Sequence, residues 1–334
     1  MKILAIESSC DDTAVAIVER REGKTSLRVL VSLVASQEKL HAQFGGVVPE
    51  VASRQHLEAI YPLIELALHK TKMTPKRIDA IAVTTNPGLL GSLLVGVNAA
   101  KTLGYLWNKP VIPVNHLLGH IYAGWLGDET VVYPLVSLVT SGGHSEIVLT
   151  RREGEYKYVG GTRDDAAGEA FDKVARLLGL GYPGGPAVAQ RAMTGVAGKV
   201  KLPRPMIDED NFDFSFSGLK TAVTKVRGKK EDIAKEFQTA AVEVLASKLM
   251  AAVKKYRAKT MVVGGGVSAN RQLRQEIKSR ADRLGVKVII PDIKYCTDNA
   301  AMIAAAGHGL WQRAGSGRAA PAKFKWYNAN VITD

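Results

Sequence analysis

His116 and His120 are the residues whose types and spacing most directly imply chemistry. At i and i+4 they fall on one face of a helix, where two imidazoles can share a metal ion. A zinc protease places a glutamate beside the first histidine as general base, and Leu117 stands there instead. The pair therefore points to a metal and away from that class of hydrolase. On spacing alone, two ordinary helix histidines remain the simpler reading, so a third ligand is needed. Asp298, in Cys296-Thr-Asp-Asn-Ala300 at the predicted start of a helix, is the candidate. Aspartate at that place is also a common helix N-cap.

Several small-residue turns could hold a ligand beside that pair. Ser8-Ser9-Cys10-Asp11-Asp12-Thr13 offers hydroxyls, backbone N–H groups and two carboxylates, enough to wrap a phosphate or an acyl oxygen. A plain polar hairpin has the same composition. Thr140-Ser141-Gly142-Gly143-His144 carries paired glycines that let a ligand approach the backbone. Val262 to Arg271 places three glycines between an apolar run and a helical one, a pattern common at nucleotide sites. It lacks the GxGxxG fingerprint and falls late in the chain, which argues against a Rossmann dehydrogenase. Asp172, early in an amphipathic helix, could accept from a ribose or an amide, and Gly181-Tyr-Pro-Gly-Gly-Pro186 ends that region in a rigid turn.

These residues need elements to position them. Ile3–Val18 and Leu135–Leu149 each read as apolar strand, polar turn, apolar strand, which predicts two β-hairpins. Strands and helices then alternate. Helical spacing covers Leu57–Lys70, Ala166–Leu178, Phe237–Tyr256, Asn270–Leu284 and Asn299–Arg313, and strands are predicted at Ile78–Thr84, Thr260–Val263 and Val286–Ile290. The fold class is α/β, and the repeated hairpin implies two similar halves with a boundary near residues 110–133. Phe212, Phe214 and Phe216 alternate with polar residues and predict a half-buried strand inside an irregular stretch, 194–232. Lys225, Arg227, Lys229 and Lys230 follow, and a solvated loop is favoured slightly over an RNA contact there.

The chain has 334 residues, 46% hydrophobic and 23% charged, enough for two cores and unlike a disordered chain. A net charge of +13 makes a polyanion, nucleic acid first, the natural partner class, although a lysine-rich surface explains charge equally well. Cys10 and Cys296 form no disulfide pattern and fit a reducing cytoplasm. The uncharged stretch 80–100 is broken by Asn86-Pro87-Gly88, so it reads as a buried strand and a buried helix from about Gly91, with no membrane span.

Taken in order, these motifs resemble the TsaD/Gcp family of tRNA threonylcarbamoyltransferases. The matching stretches are Glu7 to Ala14, Gly45 to Glu50, Asn86-Pro-Gly88, Asn115 to His120, Ser141 to His144, Gly168 to Lys173, Gly181 to Pro186, Phe214 to Lys220, Gly264 to Asn270 and Thr297-Asp-Asn299, across nearly the whole chain. The resemblance implies two actin-like domains, of the hexokinase and heat-shock-chaperone superfamily, around a ligand cleft. The first would span 1–112, with a C-terminal helix at about 299–334 packing back on it. The second would span 113–298, with an insertion at about 194–232.

It also implies transfer of a threonylcarbamoyl group from threonylcarbamoyl-AMP to N6 of adenosine 37 in tRNAs reading codons that begin with A. By motif, His116, His120 and Asp298 would hold one metal, iron(II) or else zinc. Val139, Thr140, Ser141, Gly142, Gly143, Asp172, Gly185 and Asn270 would bind the acyl-adenylate, and Asp11 or Asp12 would take the amine proton. Implied partners are tRNA, a TsaB-like paralogue and a TsaE-like ATPase, with TsaC-type enzymes supplying the adenylate, in the cytoplasm. Asp12 replaces a glutamate usual in relatives, and Gly181 and Ala189 stand where some relatives carry polar or acidic side chains. Two other readings are a glycoprotease, against which Leu117 speaks, and an ATPase-type actin-like scaffold, whose TsaB-like examples lack the histidine pair.

Overall fold

The computed structural model describes residues 1–21, 26–127 and 130–313. In chain order the first half comprises β1 (Lys2–Glu7), β2 (Asp12–Arg20), β3 (Leu27–Ser36), α1 (Glu38–Ala42), α2 (Pro49–Thr71), β4 (Ala80–Asn86), α3 (Leu90–Trp107), β5 (Val111–Asn115) and α4 (His116–Tyr122). Then follow β6 (Leu135–Thr140), β7 (Ser145–Thr150), β8 (Tyr156–Gly161), α5 (Ala167–Leu178), α6 (Gly184–Ala192), α7 (Ser217–Lys225), α8 (Lys230–Tyr256), β9 (Thr260–Gly264), α9 (Arg271–Leu284), β10 (Lys287–Ile289) and α10 (Ala300–Arg313).

The two sheets have one topology. The first runs β3-β2-β1-β4-β5 and the second, read the same way, β8-β7-β6-β9-β10. In each, three strands form an antiparallel meander and the last two lie parallel to the first. Both predicted hairpins are present, as β1–β2 and β6–β7. Because Val111–Asn115 completes the first sheet, we place the division of the two halves beyond it, after α4.

The two faces of the first sheet differ in side-chain size, and this decides what covers them. Ile3, Ala5, Ala14, Ala16, Ala80 and Ala82 share one face with Ala300, Ala301 and Ala304–Ala306 of α10. Small residues on both sides let the helix lie close to the strands. Leu4, Ile6, Val15, Ile17, Ile81 and Val83 point the other way, onto α2 and α3. Period-two alternation in β1 thus sorts bulky from small residues. Residues 314–334 of the expected C-terminal helix lie outside the described residues.

Four expectations change. The helix expected from Leu57 begins at Pro49, whose fixed φ suits a first turn. The strands β3, β5 and β8 had no counterpart among the predicted elements. The phenylalanine alternation holds, with all three rings buried, but the segment makes a single bridge, Phe214 to Thr162, in place of a strand. The helix expected to be buried from about Gly91 is covered on one side only: Leu90 and Leu94 are 74% and 50% exposed. No helix among the described residues is long and apolar enough to cross a membrane.

Candidate metal and acyl-adenylate site

The short helix α4 leaves β5 directly, and Asn115 caps it by accepting from the N–H groups of Leu117 (2.9 Å) and Leu118 (3.2 Å). That cap sets the helix phase, and His116 and His120 therefore share one buried face, with ring centroids 4.7 Å apart. Asp298, just before α10, meets them from the other side. Its Oδ1 lies 3.4 Å from His116 Nε2 and 3.3 Å from His120 Nε2. The three ligand atoms lie within 4.8 Å of one another.

These separations suit a cation. Ligands bound at about 2.1 Å stand roughly 3–3.4 Å apart around one metal. His120 supplies a second sign: both its ring nitrogens are buried and neither completes a hydrogen bond, despite the Asp298 contact. A buried imidazole without partners is costly, and a shared cation would satisfy it.

Glu7 is the residue that sequence reasoning missed. It ends β1 on the face of Ile3 and Ala5, fully buried. Its carboxylate accepts from Ser9 N–H at 2.6 Å and from Thr84 Oγ1 at 2.7 Å, and His116 Nδ1 lies 3.0 Å away. With Glu7 ionised, the His116 proton sits on Nδ1 and Nε2 turns toward Asp298. The available signal was a charged residue at the inward phase of an apolar strand. Burial works against charge at Glu7, but His116 holds its carboxyl below the usual range. Burial likewise disfavours charge at His116 and Asp298. Attraction to Asp298 and Glu7 outweighs it at His116 and holds that imidazole well up, while His116 and His120 outweigh it at Asp298 and hold its carboxyl well down. His120 is held low by burial, and His144 is pushed down to about 4 by burial and by the nearby His116 and His120.

The Ser8–Thr13 turn is engaged differently than its composition implies. Ser8 Oγ donates to Ser92 O, Ser9 Oγ lies 3.1 Å from His116 Nδ1, and Thr13 Oγ1 lies 2.7 Å from His56 Nδ1. Its hydroxyls anchor the turn to α2, α3 and α4 and do not project toward a phosphate. Asp12 behaves otherwise. Burial pushes its carboxyl up to about 7, against a Ser36 hydrogen bond, and Asp298 and Asp11 add to the rise. Its Oδ1 is buried without a hydrogen-bond partner.

In the second half, the tip of β6–β7 is closed by Ser141 N–H donating to His144 O and His144 N–H to Ser141 Oγ. The amides of Gly142 and Gly143 donate to no protein acceptor among the described residues. A Cβ at Gly142, Gly143 or Gly185 would meet nothing within 4 Å, so all three line open space. The third glycine turn serves another purpose. Gly264 abuts the His120 backbone and Gly265, at φ +89°, abuts that of Thr140. These two glycines allow backbone to meet backbone, not ligand to meet backbone.

The other expected ligand residues divide. Val139 points its side chain into a core cluster with Leu117, Ile121 and Val148, leaving only its backbone for a ligand. Thr140 Oγ1 is buried and completes no hydrogen bond. Asp172 Oδ1 accepts from Gly184 N–H at 2.7 Å and thereby fixes the turn that presents Gly185. Burial raises its carboxyl. Asn270 caps α9 through Leu273 N–H and donates to Gln238, so its amide is engaged within the protein.

A family model described as TsaD, tRNA N6-adenosine threonylcarbamoyltransferase, matches residues 28–305. Curated proteins of that name are similar along nine-tenths or more of their length. The one from Syntrophomonas wolfei subsp. wolfei is 50% identical over 314 residues, covering 92% of this chain and 91% of the relative. The one from Burkholderia lata is 45% identical over 349 residues, covering 99% of each. Among solved structures, full-length HypF in its phosphate- and nucleotide-bound form superposes with a TM-score of 0.64 at 14% identity, over 95% of this chain and 56% of that one. Component A of the Acidaminococcus fermentans (R)-2-hydroxyglutaryl-CoA dehydratase gives 0.53 at 14% identity, over 93% and 97%. These two likenesses speak to fold alone, two actin-like α/β units. The sequence matches say more: the chain belongs to the TsaD family of tRNA N6-adenosine threonylcarbamoyltransferases.

Proposed function

We propose that the cleft between the two sheets passes a threonylcarbamoyl group from threonylcarbamoyl-AMP to N6 of adenosine 37 in tRNAs reading codons that begin with A. One observation supports this above the rest: His116, His120 and Asp298 converge, neither His120 ring nitrogen completes a hydrogen bond, and the glycines at the β6–β7 tip face open space. The ion proposed is iron(II), on the two-histidine, one-carboxylate donor set, with zinc as the alternative. When bound, it would supply Lewis-acid polarisation of the carbamoyl carbonyl.

The chain's own groups do the rest. The adenylate lies along the Val139–Thr140 backbone, Ser141, Gly142, Gly143, Asp172, Gly185 and Asn270. The adenine N6 attacks the carbamoyl carbon. The N–C bond forms, and the bond from that carbon to the phosphate oxygen breaks. AMP leaves with that electron pair. Asp12 is preferred to Asp11 as acceptor of the amine proton, since a half-buried carboxyl near 7 is matched to that task. The Gly142 and Gly143 amides face the developing oxyanion, each donor worth about 3 kcal/mol.

Two partners act at other surfaces. The TsaB-like paralogue is proposed to dock on the outer face of α2 and α3, where Leu57, Tyr61, Leu90 and Leu94 are exposed at helical spacing. A TsaE-like ATPase completes the set, and the tRNA substrate implies a cytoplasmic location. The test is reconstitution of the metal-loaded chain with these partners, a TsaC-type enzyme, threonine, bicarbonate, ATP and unmodified tRNA, read by nucleoside mass analysis. Threonylcarbamoyladenosine should appear with the parent chain and vanish with His116→Ala. No product from the complete mixture would overturn the reading.

A further inference from the structure

The irregular stretch between α6 and α8 brings two basic segments together. Val200 is buried, and its Cγ2 stands 3.0 Å from the position a Gly228 Cβ would take. Lys199 and Lys201 flank Val200, while Lys225, Arg227, Lys229 and Lys230 surround Gly228. All six cations are exposed. None of the six is in an ion pair among the described residues. Arg204 in the same stretch shows the contrast: it is half-buried and paired with Glu236 and Glu243. Of the two acids that follow Lys230, Glu231 is half-buried, and Asp232, 8% exposed, turns inward to accept from Val196 N–H.

This patch adjoins α5. Lys230 Nζ lies 3.5 Å from the Gly179 Cβ position, at the C-cap of α5. The opposite end of α5 packs Gly168 on Ser141 and Gly142. Eleven residues of helix separate the two ends, about 16 Å at 1.5 Å per residue. Arg176, in the last turn of α5, reaches across to Gly45 O of the first half. The patch therefore lies one helix length from the proposed adenylate turn, beside a contact between the two halves.

We propose that Lys199, Lys201, Lys225, Arg227, Lys229 and Lys230 form the surface that holds the tRNA phosphate backbone while adenosine 37 enters the cleft. The proposal rests on the tRNA reading above. Unpaired exposed cations suit a polyanion, because each phosphate contact releases counterions and makes binding salt-dependent. A single helix length is also a fitting reach for phosphates flanking a base seated in the cleft.

The test compares two variants of the full, metal-loaded chain on an unmodified tRNA transcript over a salt series. One replaces Lys199, Lys201, Lys225, Arg227 and Lys229 with Ala. The other makes a control removal at the far end of α2 and beyond, Lys70→Ala, Lys72→Ala and Lys76→Ala. The first variant should lose at least about tenfold in affinity near physiological salt, and its log–log salt slope should shrink by about 3–4. Its metal content should stay at the parental level, and the control should bind as the parent does. Parental affinity and slope in the first variant, or equal losses in both, would overturn this surface while leaving the transferase reading standing. A parent chain that binds no tRNA at any salt would overturn the reading itself.

Discussion

Around single residues, the site is governed by buried carboxylates with unlike surroundings. Glu7, with donors from Ser9, Thr84 and His116, is built to stay ionised and to fix one imidazole tautomer. Glu7→Gln keeps the shape and removes that control. Metal affinity should fall about 10–100-fold by competition titration against a chelator, with secondary structure unchanged. Unaltered affinity would mean that Glu7 only fills space. Asp12 has a single such donor, Ser36, and burial still pushes its carboxyl up to about 7. Transfer should accordingly rise with pH through about 7, and Asp12→Asn should lose about 10²–10⁴ in rate. The stability sign follows from the same shift. A carboxyl raised in the fold binds its proton more tightly there than in the unfolded chain, so stability is lost as pH climbs from about 4 through 7. Asp12→Asn should therefore melt above the parent at pH 8, with the gap closing by about pH 4. A constant gap across pH would refute this.

Among the elements, glycines separate packing from binding. Gly264 lets the end of β9 lie against His120 of α4, whereas Gly142 at the β6–β7 tip faces open space. Gly264→Ala should destabilise the fold by about 1–3 kcal/mol and loosen the metal site, because strand and helix must part. Gly142→Ala should leave the melting temperature alone and lower transfer. Equal effects on melting would show that the two turns are not distinguished in this way. Sequence patterning located both hairpins and the helices that bear the site. It missed β3 because an apolar run broken only by Arg28 and Ser32 does not declare its period, β5 because five residues around Pro113 read poorly as a strand, and β8 because a short strand ending in glycines gives little signal.

Across the whole molecule, the candidate metal triad joins distant parts of the chain. His116 and His120 follow the last strand of the first sheet, while Asp298 arrives only after the second sheet is complete, just before α10 returns to the first. A cation held there links both returns. Saturating iron(II) or zinc at 100 times Kd should raise stability by about 2.7 kcal/mol, and a chelator should reverse it. His116→Ala should abolish that dependence in thermal melts. Binding should also release the proton that Glu7 and Asp298 stabilise on His116, so affinity should weaken as pH falls.

The sequence by itself determined the α/β class, the repeated hairpin and the i, i+4 histidine pair, because these depend on local period and composition. It also carried the family, through ordered motifs spanning the chain. Only the tertiary structure decided which candidates act together. Asp298 is an ordinary-looking cap until folding sets it within 3.4 Å of two imidazoles. Glu7 is one acid in a strand until the β1–β4 pairing sets Thr84 beside it and α4 sets His116 over it. The turn at Ser8–Thr13 and the glycines at 264 and 265 looked like ligand cradles, and the fold uses them for its own contacts. The physical reason is the same throughout. Spacing along a chain fixes which face a residue occupies, but partners for buried polar atoms come from elements that only packing brings near.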